Sequence, residues 1–98
     1  MAAYVIASYT VTDQDGFAPY TPAVVPTLRA HGAEVLVAGT GGDAREGDPG
    51  ETTVVLRFPS KEAAQGWYDS PEYQAIVHLR TDNSRGTLVI CDEFVRPS

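Results

Sequence analysis

The stretch TTVVLRFPSKEAAQGWY, residues 52–68, changes its hydrophobic period within three residues. Thr52–Phe58 is a run of β-branched and apolar side chains, the signature of a strand. Val54, Leu56 and Phe58 lie two apart and so share one face, while Arg57 points to the other. Pro59 stops the strand, and Ser60 is placed to cap a helix. Beyond it Ala63, Ala64, Trp67 and Tyr68 form an apolar stripe, with Lys61, Glu62, Gln65 and Asp69 toward water. A strand with one apolar face, followed at once by a helix with one apolar stripe, is the unit of a sheet covered by helices.

The rest of the chain supplies similar units. AYVIASYTV, residues 3–11, reads as a first strand, and Thr12-Asp13 as a helix start. Phe17, Tyr20, Val24 and Leu28 recur at helical spacing, and Gly32 is placed to end that helix. Pro19, Pro22 and Pro26 predict a kink in it, or a start near Thr21-Pro22 after a looser turn. Glu34–Gly39 is a second strand, residues 39–50 a turn-rich loop, and Thr87–Phe94 the last strand. Ser70-Pro71-Glu72 combines a capping hydroxyl, a proline for the first helical position and an acid near the positive end of the dipole. Trp67-Tyr68 therefore ends one helix and Tyr73 begins another. The order β-α-β-β-α-(α)-β predicts a single α+β domain over residues 1–98. Its plan is ferredoxin-like: a four-stranded antiparallel sheet, helices on one face, the first and third strands central. The other sheet face is left bare, and a core of this size gains from further burial, so a homodimer packed sheet to sheet is expected.

Charge narrows the partners. Thirteen acidic residues against seven basic ones give a net charge of −6 with no basic patch, which argues against nucleic acid and anionic membrane surfaces. No apolar run approaches the ~20 residues that span a bilayer. The first residues lack the basic start and long apolar core of a signal peptide, so the cytoplasm is the expected address. Cys91 stands alone, which excludes an internal disulfide, and its run TLVIC reads as strand core.

Taken as strings, AYVIASYTVTD, the GG-D-REGD loop and VVLRFPSKEAAQGWYDSPEYQAIVHLR closely resemble the domain-of-unknown-function 1330 family. The pattern FPS-x-E-x-A-x-x-W-Y-x-S-P-E-Y carries the resemblance, which runs over nearly the whole chain. It implies a dimeric α+β barrel built on the ferredoxin-like fold. That wider group includes cofactor-free monooxygenases, polyketide cyclases, haem proteins and small degradative enzymes.

Several residues are candidates for chemistry. His31 and His78 do not stand at ligand spacing with other His, Cys or carboxylate groups, so neither a metal site nor another cofactor is expected. His31 fits a helix end beside Gly32. Histidine as a residue type suits a general base, and His78 is a candidate for that role or for a pocket rim or the surface. The GTGG run lacks the Gly-Lys-Ser/Thr ending of a phosphate loop. Arg57, inside a central strand, is either half of a structural ion pair or a ligand anchor. Tyr73, Val77 and Arg80 fall on one face of a single third helix, with Trp67 just upstream. They are either core anchors with a surface cation, or a pocket in which aromatic walls hold a flat ligand and Arg80 binds its carboxylate or enolate. Tyr9 and Tyr20 are placed to line the same space. Two functions follow. The first is an enzyme acting without cofactor on a small carbonyl, phenolic or carboxylate metabolite, as isomerase, cyclase or monooxygenase. In it His78 or Tyr73 handles protons and Arg80 steadies negative charge. The second is a non-catalytic dimeric module that binds a small molecule.

Overall fold

The computed structural model describes residues 1–97. Strand β1 (Ala3–Val11) pairs antiparallel with β3 (Thr52–Phe58) on one side and β4 (Ser84–Asp92) on the other, and β2 (Glu34–Gly39) adds to β3. The sheet order is β2-β3-β1-β4, so the first and third strands are central, as the element order implies. Helices α1 (Gln14–Phe17), α2 (Tyr20–Ala30), α3 (Lys61–Asp69), α4 (Pro71–Gln74) and α5 (Val77–Thr81) complete the domain. The fold is α+β and ferredoxin-like. Its core joins Val5, Leu56 and Phe58 of the sheet to Tyr20 and Leu28 of α2, Ala64 and Trp67 of α3, and Tyr73 of α4.

One boundary follows an alternative the prolines offered and two differ from the sequence expectation, each for a local reason. The first helix is two: Asp13 caps the single turn of α1, accepting from the Gly16 N–H at 3.2 Å, and the chain restarts at Tyr20 after Pro19. Pro22 lies in the first turn of α2, where its missing donor is harmless. Pro26 sits inside the helix, on its exposed side. The third helix is also two. Ile76 takes φ −121 and ψ −8, outside the helical region, and separates α4 from α5. Strand β4 begins at Ser84 rather than Thr87, because β1 runs on to Val11 and offers it partners.

Ser70 joins two helices. Its hydroxyl donates to the Trp67 carbonyl at 2.8 Å, closing α3, and accepts from the Tyr73 N–H at 3.2 Å, opening α4. The group is buried. Ser70→Ala is expected to lower stability by about 0.5–2 kcal/mol, the range for a lost helix cap, measured by urea unfolding.

The ladder register sorts the side chains by face. Val5, Ala7 and Tyr9, opposite Leu56, Val54 and Thr52, turn toward the helices. On the other face Val37, Val55, Ile6 and Val89 align in one row across all four strands. Ile6, Val37 and Val89 are 39%, 47% and 50% exposed, so this apolar row lies uncovered in the single chain. Beside it runs a row of Glu34, Arg57, Tyr4 and Cys91.

Candidate functional site

The helices leave a gap over the sheet. It is a cavity of about 190 Å³, bounded below by Val5, Ala7, Val54, Leu56 and Leu88 and above by Val24, Val25 and Leu28 of α2. Its outer end lies between α2 and the edge strand β2, where Thr21, Val25, Val35 and Ala38 are exposed. Its inner end is formed by Tyr9, Tyr20, Trp67 and Arg80, all buried.

Trp67 fixes that inner end. Its ring packs on Tyr73 with centroids 4.2 Å apart and on Phe58 at 5.5 Å. Its Nε1–H donates to Thr27 Oγ1 at 3.0 Å, and the Thr27 hydroxyl donates to the Val24 carbonyl at 2.6 Å. One indole thus ties α3 to the middle of α2. Tyr9 is held from both sides by glycines. A Cβ on Gly50 would collide with the Tyr9 backbone, and one on Gly86 with the Ser8 carbonyl and Tyr9. The Gly50 N–H also donates to Ser8 Oγ at 2.9 Å.

Arg80 is the charged member. It is 7% exposed, and its Nε is buried without a hydrogen-bond partner. Among the described residues it forms no ion pair. Burial disfavours its cation, but the Tyr73 and Tyr20 phenol oxygens beside it outweigh that and raise its pKa above the ordinary arginine value. The Tyr20 and Tyr73 hydroxyls are themselves hydrogen-bonded at 2.8 Å. Burial, with Tyr73 adding to it, pushes the Tyr20 phenol far above its ordinary value against the opposing pull of Arg80. Burial also raises Tyr9, partly offset by Arg80. The inner end is therefore a permanent cation facing neutral phenols. Arg80 and Leu88 also line a shallow outer groove with Tyr68, Thr81, Gly86, Val89 and Ile90.

These phenols give a pH signature. A folded-state phenol pKa above the unfolded value means that the folded chain keeps protons which the unfolded chain loses. The stabilisation is complete below about pH 10 and falls as pH rises past it. Stability measured from pH 9 to 11 is expected to drop along an alkaline limb that Tyr20→Phe flattens. An unchanged limb in that variant contradicts the assignment.

The structure brings together five of the seven residues singled out from sequence: Tyr9, Tyr20, Trp67, Tyr73 and Arg80. Tyr73 and Arg80 meet although the helix between them is broken. The other two lie away from the cavity: Arg57 on the sheet face its strand period assigned to it, and His78 at the surface. His78 is exposed on α5 and does not line the cavity, because residues two apart on a helix lie about 200° apart and Arg80 takes the inward side. Arg57 is exposed on the outer sheet face, directly across the ladder from Glu34 and away from the cavity. Sequence reasoning missed Thr27, Gly50 and Gly86. Only Gly86 carried a signal, as a lone glycine beside a strand pattern, which marks a close backbone approach. Among the described residues no group of three or more His, Cys, Asp or Glu side chains could hold a metal ion, and no helix is long and apolar enough to cross a membrane.

Solved structures share this architecture. A protein of unknown function from Rhodopseudomonas palustris superposes with a TM-score of 0.70 at 14% identity, over 97% of this chain and 84% of that one. SnoaB, a cofactor-independent oxygenase from Streptomyces nogalater, gives 0.63 at 11% identity, over 99% and 95%. An antibiotic biosynthesis monooxygenase gives 0.60 at 19% identity, over 95% and 99%. At these identities the likeness is one of fold. No curated protein matches the chain in sequence. Residues 2–94 match the model of the domain of unknown function DUF1330, and the chain belongs to that family.

Proposed function

We propose that the protein binds a small organic molecule in the cavity between α2 and the sheet and transforms it without a cofactor. The observation that carries this reading is Arg80, a buried cation with an unpartnered Nε at the inner end of an otherwise apolar pocket. A desolvated charge without a counter-charge is costly, and an anionic ligand group at this end of the pocket would offset that cost. Arg80 would steady negative charge on a ligand oxygen, with the Tyr20 hydroxyl as a second donor. The aromatic ring of Trp67 and the apolar side chains of Val5, Val24, Leu28 and Leu56 would hold the ligand's body. The cofactor-independent oxygenase and the monooxygenase of the same fold support oxygenation as one such transformation, beside isomerisation or cyclisation.

Trp67 is the chain's only tryptophan, so its fluorescence reports on the cavity. In a panel of single-ring phenols, carboxylates and acidic enols, some are expected to quench it and to be consumed by the metal-free protein. Quenching without turnover favours a binding module. Neither quenching nor turnover across the panel contradicts the reading.

We also propose a homodimer through the row Val37, Val55, Ile6 and Val89, with Arg57 and Glu34 at the same face. An apolar row whose Ile6, Val37 and Val89 are 39–50% exposed on a small domain supports it. The same reading keeps the cytoplasmic address expected from the sequence, and an acidic chain suits a small-molecule partner better than nucleic acid. Sedimentation equilibrium at micromolar concentration is expected to give twice the 10.5 kDa chain mass, and Ile6→Asp to give the single chain. A wild-type monomer contradicts the dimer.

A further inference from the structure

We infer that the ligand is a single-ring organic monoanion that is already ionised in solution, seated with its charged oxygen at Arg80 and its ring toward the gap between α2 and β2. This rests on the cavity reading above and adds the ligand's charge state, size and direction.

The charge state follows from what the cavity contains. Arg80 is its one charged lining residue, and no carboxylate or histidine is among those residues. The titratable groups facing Arg80 are phenols: Tyr9 from β1, Tyr20 from α2, Tyr73 from α4, and Tyr68 from α3 across the outer groove. Tyr9 and Tyr20 are held neutral, so they donate hydrogen bonds and do not take protons at neutral pH. A neutral ligand would leave the guanidinium uncompensated. A ligand needing deprotonation inside the cavity would find no base there. A ligand that arrives as a delocalised oxyanion, such as a ring carboxylate or an acidic phenol or enol, supplies the missing charge and needs no base.

Size follows from volume. A dry cavity of roughly 150 Å³ accepts a benzene ring. The 190 Å³ present here matches one ring with short substituents, and a fused polycycle would extend out of the open end. Direction follows from exposure. The polar groups are buried at one end, while Thr21, Val25, Val35 and Ala38 meet solvent at the other. The anion goes in first.

4-Nitrophenol tests this, because its visible absorbance reports its own ionisation. Bound beside a buried guanidinium, its apparent pKa is expected to fall by about 1–3 pH units, the effect of an opposite charge within a few ångströms. Benzoate should displace it, and naphthalene-2-carboxylate should compete poorly. The fall should be lost in Arg80→Met and reduced in Tyr20→Phe. The wild-type shift is decisive by itself if the Arg80 variant does not fold. Binding with the probe's pKa unchanged or raised overturns the anion assignment and leaves the cavity reading standing. Failure of both 4-nitrophenol and neutral nitrobenzene to bind at millimolar concentration overturns both. Equal competition by the two-ring acid overturns the size limit.

Discussion

Trp67→Ala is expected to lower stability by about 3–5 kcal/mol, the range for a large aromatic removed from a core. For a domain of this length that is a large part of the total stability, which is about 5–15 kcal/mol for folded proteins in general. The indole is 1% exposed and touches every layer of the molecule. It packs on Phe58 from β3 and Tyr73 from α4, and its N–H reaches Thr27 of α2. Alanine would empty the junction and release α2, whose prolines make it a weak helix by itself. Trp67→Phe separates the packing from the hydrogen bond. It keeps most of the ring contact and loses the donor to Thr27, a loss of about 1–3 kcal/mol for an unsatisfied buried group. Urea unfolding of the two variants checks both values. A change below ~1 kcal/mol in Trp67→Ala would mean that the indole is a pocket wall and not a keystone.

Arg80→Met is expected to separate stability from binding. The substitution keeps an unbranched chain and removes a cation that has no carboxylate partner in the described residues. Tyr20 and Tyr73 keep the bond to each other. The empty protein should hold its stability or gain, by up to roughly 1–4 kcal/mol, as when buried charges give way to apolar groups. Anion affinity should fall by about 1.5–3 kcal/mol, roughly 10-fold to 150-fold, the scale of a charge-assisted hydrogen bond. Arg80→Lys should recover only part, because an ammonium lacks the planar fork. Thermal melts with and without benzoate measure both effects. A destabilised Arg80→Met with wild-type affinity would make Arg80 a structural group.

The parts of this molecule legible in its sequence are those set by local periodicity and capping. Val54, Leu56 and Phe58 declare the inner face of β3 by a period of two, and the same count sends Arg57 outward. Ser60 and Ser70 mark helix starts, and both hydroxyls accept the expected backbone bonds. Trp67 and Tyr73 lie close in sequence and stack. The burial of Arg80 was not legible, because an arginine near a helix end has a solvated alternative that costs nothing. The phenols beside it include Tyr20 of α2, which is bonded to Tyr73 across 53 residues of sequence, and no local pattern spans that distance. His78 looked suitable by chemistry alone. Its place was decided two residues later by Arg80. Thr27 was invisible for the same reason as Arg80: its partner Trp67 is 40 residues away.

In the proposed site Arg80 holds the charge of a ligand inside the cavity. A crystal structure of the protein with benzoate tests it most directly. The ring is expected between α2 and the sheet, with a carboxylate oxygen about 2.7–2.9 Å from the Arg80 guanidinium, the length of a charge-assisted bond. Benzoate seated with its carboxylate toward solvent, or bound away from Arg80, would contradict it.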